Sequence, residues 1–197
     1  MSLVLAMFLA PGFGGGNDDM GASLAVASQE AGRWTAMSVL WSVSAAGFVL
    51  GCPTIILALV KRGRLLGYVG VVLFAIGAIG LTGFAALSLM FQSMAEAGVS
   101  ASQVETVLGA GGLRVVETVW IIGLFGGLVV IAVALLIGRA LPIWVPLMLI
   151  AFVGIQLLFD DIEFVQKTGW VALALGFTGI AIEVAAPPTR RAAAANL

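Results

Sequence analysis

The chain has 197 residues, 61% of them hydrophobic and only 10% charged, with a net charge of −1 and a mean hydropathy of +1.17. A soluble domain carries about a quarter charged residues, so this chain cannot cover a water-facing surface, and lipid must cover it instead. The lack of histidine removes the commonest general base, the usual haem ligand and most zinc sites, and so few basic residues exclude a nucleic-acid surface.

The length suits one domain. A single cysteine, Cys52, makes an intrachain disulfide impossible, so stability must come from helix packing. No catalytic residue, cofactor site or metal site is expected, and the composition points away from an enzyme.

Residues 1–36 combine a short apolar segment with a glycine-rich loop. Ser2 to Ala10 lacks the basic start and small-residue cleavage site of a signal peptide. A short first helix over 2–13 makes six spans with a cytoplasmic amino terminus. Without it there are five spans, and a start lying further upstream is a third reading. Gly12 to Gly21 holds Asn17, Asp18 and Asp19 but lacks the Lys-Ser/Thr of a phosphate-binding loop, so it reads as a solvated turn. Gly21 to Arg33 is mildly polar and reads as a short interfacial helix.

Crossing a hydrocarbon core of about 30 Å takes roughly 20 apolar residues. Five stretches meet this: 37–60, 65–91, 115–138, 140–159 and 168–186. The fold class expected is therefore all-α, a polytopic transmembrane helix bundle over 37–186. Its natural partners are the lipid bilayer and other membrane subunits or further copies of itself.

In span 37–60, Gly47 and Gly51 have the small-xxx-small spacing that lets helix backbones approach. Pro53, near mid-membrane, removes one backbone hydrogen bond and is a candidate kink. The cluster Lys61, Arg62 and Arg64 then closes a hairpin into span 65–91, where glycines at 67, 70, 77, 80 and 83 call for close helix neighbours. Residues 92–114 form an outer loop. Within it, Ser102-x-x-Glu105 fits a capping box ahead of Val104, Val107 and Leu108, with Gly109 as the stop. Span 115–138 opens on Arg114 and Glu117, three apart on one face, and carries Gly123-x-x-x-Gly127. Span 140–159 begins Leu141-Pro142-Ile143-Trp144, with proline tolerated in a first turn and tryptophan at the interface. Span 168–186 holds Glu183 near its inner end and stops at Pro187-Pro188. Residues 187–197 form a basic tail.

Placing the Lys61 cluster inside and alternating gives an inner side with Lys61, Arg62, Arg64, Arg139, Arg190 and Arg191 against one acid, Glu183. The outer side has Arg33, Arg114 and Lys167 against nine acids. That asymmetry follows the positive-inside rule and puts the carboxyl terminus in the cytoplasm. With seven arginines to two lysines, it suggests the inner membrane of a GC-rich bacterium.

One constellation stands out. Gln156, Asp160, Glu163 and Lys167 fall at i, i+4, i+7 and i+11, with Asp161 beside them, and share a face if the helix continues past the membrane edge. Together with Arg114 and Glu117 they form a candidate outer polar cluster. It reads as a hard-cation site, a transport entrance or a solvated rim. Glu183 is placed to pair with an inner arginine or to reach the interface.

The glycine-rich hairpin, the Arg139-x-Leu-Pro-x-Trp144 connection and the Pro187-Pro188-x-Arg190-Arg191 tail resemble small polytopic membrane proteins of GC-rich bacteria that have no settled activity. The resemblance spans about 37–191 and implies no site residues. Two function classes follow from the residues themselves: a non-enzymatic structural or accessory subunit of a membrane complex, and a small transporter or channel with an acidic outer vestibule.

Overall fold

The computed structural model describes residues 20–59, 63–108, 111–139, 141–159 and 162–186, the side chains of 20–23, 108, 111–114 and 163 excepted. The first-span reading of 2–13, the glycine-rich loop up to Asp19, Lys61, Arg62, Gly109 and the basic tail lie outside these residues. Among the described residues the chain is helical, with no strand. The helices are α1 (Met20–Gln29), α2 (Ala31–Ala58), α3 (Arg64–Glu96), α4 (Ala101–Leu108), α5 (Gly111–Ile121), α6 (Gly127–Gly138), α7 (Trp144–Leu158) and α8 (Glu163–Ala185). A π-helical turn, Ile122–Gly126, joins α5 to α6.

Among the described residues, four segments are long and apolar enough to cross a membrane: Ala31–Ala58, Arg64–Glu96, Val115–Gly138 and Phe164–Ala185. The chain is an all-α, multi-pass membrane protein. Its fifth expected span is shorter than its apolar run. Pro142 and the turn at Leu141–Ile143 delay the helix to Trp144, leaving 15 residues, about 22 Å at 1.5 Å per residue. A helix is present before the first long span, α1, nearly continuous with α2.

The bundle closes in the order α2, α3, α6, α7, α8 and back to α2. Inner and outer name its basic and acidic ends. The tightest seam is α3 against α5–α6, and glycine makes it. A Cβ at Gly77 would lie 2.1 Å from the Leu124 backbone nitrogen, and Gly70, Gly80 and Gly127 meet their opposite helix almost as closely. Backbone therefore packs on backbone, as close small-residue helix contacts allow. At the inner end Gly63 adopts φ 83° beside the Ala134 carbonyl oxygen, a conformation and a space that exclude side chains.

Gly77 faces Leu124 while Gly83 faces Val116, so six steps of α3 run beside eight of the opposite chain. The π turn, which carries an extra residue per turn, takes up part of that surplus. The fully buried side chains Trp41, Phe74, Leu128, Ile131, Leu149 and Phe152 fill the centre. A run of ring contacts crosses the outer half, from Trp41 through Phe84, Trp120, Phe125 and Phe152 to Trp170.

Candidate functional site

The expected outer cluster does not form one helical face. Helix α7 stops at Leu158, neither Phe159 nor Ile162 is helical, and Glu163 opens the antiparallel α8. Gln156 and Glu163 therefore stand on different helices. Asp160 and Asp161 lie outside the described residues, as do the side chains of Arg114 and Glu163. Glu117 is exposed on α5. Gln156 is half-buried, and its Nε2 donates to the Gln166 carbonyl oxygen at 3.0 Å. That bond fastens α7 to α8, a structural use of the amide. Among the described residues no group of three acidic or thiol side chains is arranged to hold a metal.

The outer end carries a different polar network. Thr35 Oγ1 donates to Gln92 Oε1 at 3.0 Å, and Gln92 Nε2 donates to Glu96 Oε1 at 2.9 Å, tying α2 to α3. Arg33 pairs with Glu30 one turn away. The alternation of charge along the sequence places Arg33 at this level. Sequence spacing does not single out Thr35 and Glu96, because partners fifty-seven residues apart leave no local pattern to read. Below it, α4 is capped by Ser100 and Gln103, not by the expected Ser102 and Glu105. The Ser100 N–H donates to Gln103 Oε1 at 3.2 Å, one half of a capping box. The capping pattern is present, two residues earlier than its sequence signature.

The second site lies between α2 and α8. Gly47 and Gly51 do not pack on a neighbouring helix: a Cβ at either would meet nothing within 4 Å. They face an open groove of about 480 Å³ between α2 and α8, walled by Gly47, Gly51 and Thr54 on one side and Trp170, Phe177 and Thr178 on the other. Its lining holds no ionisable residue. The volume falls within the range of about 300–1,000 Å³ typical of ligand clefts, and apolar walls with a few hydroxyls are the usual lining. Thr178 Oγ1 is occupied by the Ala174 carbonyl at 2.8 Å. Helix α2 runs on through Pro53 without a break, and Pro53 is exposed to the lipid side instead of lining the groove.

Sequence reasoning does not find the α8 wall, although a signal for it exists. Trp170 and Phe177 are seven residues apart, as are Ala174 and Ala181, and that spacing marks one face of a helix. Comparison with family models, with curated proteins and with solved structures gives no match to this chain.

Proposed function

We propose that this protein is a non-enzymatic subunit of a membrane complex whose α2–α8 groove seats a membrane-spanning helix from outside its own fold. The observation that carries the reading is a contrast between glycines. Gly70, Gly77, Gly80, Gly123 and Gly127 are each spent on a close internal contact, whereas Gly47 and Gly51, at the same kind of spacing, meet nothing. In lipid no hydrophobic force drives helices together, so small residues that permit backbone approach are a principal means of association. An open pair beside an aromatic wall supplies that approach surface.

The transporter reading has less support. Among the described residues the buried polar side chains are Ser38, Ser44 and Ser88. Ser44 and Ser88 each donate to the carbonyl four residues back, as hydroxyls in apolar helices do. A solute path through the bundle would need polar partners at depth, and the groove opens sideways to lipid instead. The basic inner and acidic outer ends support placement in a bacterial inner membrane with the carboxyl terminus in the cytoplasm. Reporters placed after Val60 and after Gln92 test that placement, and a shared compartment would overturn it.

The groove is tested by filling it. Gly47→Ile with Gly51→Ile adds side chains where the fold has room. The protein, extracted gently and weighed by native mass spectrometry, is expected to carry a stoichiometric second chain, another protein or a second copy, that the double variant loses while keeping its own melting temperature. A lone monomer in both preparations sinks the subunit reading.

A further inference from the structure

The π-helical turn Ile122–Gly126 divides one membrane span into two unlike halves. Below it, Leu128, Ile131, Ala132 and Leu135 are fully buried, and Gly127 is locked against the Phe74 backbone. Above it, Val115, Glu117, Thr118 and Val119 are exposed, while Val116 packs at Gly83 and Trp120 at Gly80. That ring stacks on Phe84 with centroids 5.0 Å apart and planes at 17°, and its backbone lies against Gly80. The same tryptophan has its indole N–H buried without a hydrogen-bond partner. Such an orphan is rare in folded proteins and calls for a reason.

We propose that this span has two registers: the π state with Trp120 docked on Phe84, and an all-α state in which α5 has turned and Trp120 is released. A π turn holds one residue more than an α turn and recurs at functional sites. With α6 fixed, converting it to α-helix rotates everything toward the outer end by one residue's worth, about 100°. Ile121 then takes the place of Trp120 opposite Gly80, and Glu117 moves round the outer end of the bundle.

Two features fit an exchange between these states. A Cβ added at Gly126 would meet nothing within 4 Å, so packing does not demand a glycine there. The docked state leaves a buried N–H unmet, which the turned state frees. The device would let a contact at the outer rim, where α4 and α5 lie, change the register at mid-membrane.

Distance measurement by pulsed electron spin resonance on the full chain in lipid nanodiscs tests this, with labels at Thr118 on α5 and Thr168 on α8, both exposed, in a Cys52→Ser background. Two distance populations are expected. Trp120→Phe keeps an aromatic ring on Phe84 but removes the orphan N–H, so it should shift the balance toward the π state. One population, unmoved by this substitution, overturns the proposal.

Discussion

Replacing Gly77 by alanine is expected to separate two helices. The new methyl would sit 2.1 Å from the Leu124 nitrogen, 2.5 Å from the Gly123 carbonyl carbon and 2.7 Å from the Leu124 Cα. Heavy atoms pack at about 3.5–4.0 Å, so α3 must retreat by at least about 1.4 Å, a gap that forfeits more than about half of each dispersion contact along the seam. All three obstacles are backbone, so no side chain can rotate away. Overpacking costs about 1–3 kcal/mol, with the upper end expected here, and the helix preference of alanine over glycine returns about 1 kcal/mol. The net loss is about 2 kcal/mol. Gly47→Ala has the same helix preference and no obstacle within 4 Å, so it should be neutral or stabilising by up to about 1 kcal/mol. Reversible unfolding of both variants in mixed micelles, titrated with a denaturing detergent, reads the difference directly. Equal stability of the two, or a loss confined to Gly47→Ala, would refute the assignment of the α3–α6 seam.

Phe74→Ala should cost about 3–5 kcal/mol in the same assay, because Phe74 is fully buried and its ring meets Phe48 at 5.2 Å and Phe177 at 5.6 Å. Gln156→Leu should cost about 1 kcal/mol, the worth of one hydrogen bond, and a much larger loss would point to a role beyond the bond to Gln166. Gln103→Ala removes the acceptor of the Ser100 N–H and should weaken α4 by about 1 kcal/mol, seen as faster amide exchange over 101–107 with the spans unaffected. Helix α7 is about 22 Å long by its rise, so the protein should be more stable in short-chain than in long-chain phosphatidylcholine. The reverse order would show that α7 does not cross.

The spans are legible in the sequence because lipid leaves no other solution: each long apolar run must satisfy its backbone within itself, so run length and charge placement suffice for α2, α3, α5–α6 and α8. Helix α7 is shorter than its run because Pro142 and Leu141–Ile143 are apolar yet turned, and hydropathy does not distinguish an apolar turn from an apolar helix. The glycines show a deeper limit. Spacing marks Gly77 and Gly123 as packing positions and marks Gly47 and Gly51 in the same terms, yet only the first pair packs inside the fold. Which helix a small face meets is set by the closure of the whole bundle, and local sequence does not carry it. The acidic cluster fails for a related reason. A seven- or eleven-residue interval places side chains on one face only while one helix lasts, and the break between Leu158 and Glu163 ends it.

The position of the groove follows from how the ring of helices is joined. The α2–α3 and α7–α8 neighbours are tied by short connections, and α6–α7 by the five residues Arg139–Ile143. The α3–α6 seam has no short connection but is zipped by glycine along its length. The α2–α8 seam, between the first and last long helices described, has neither device. Phe48 meets Phe177 across it at 5.5 Å, and Gly47, Gly51 and Ala174 line the groove beside that contact. A seam closed by side chains opens more readily than one held by backbone packing. A helix entering from lipid would meet least resistance there, and it would find two glycines already cleared for its backbone.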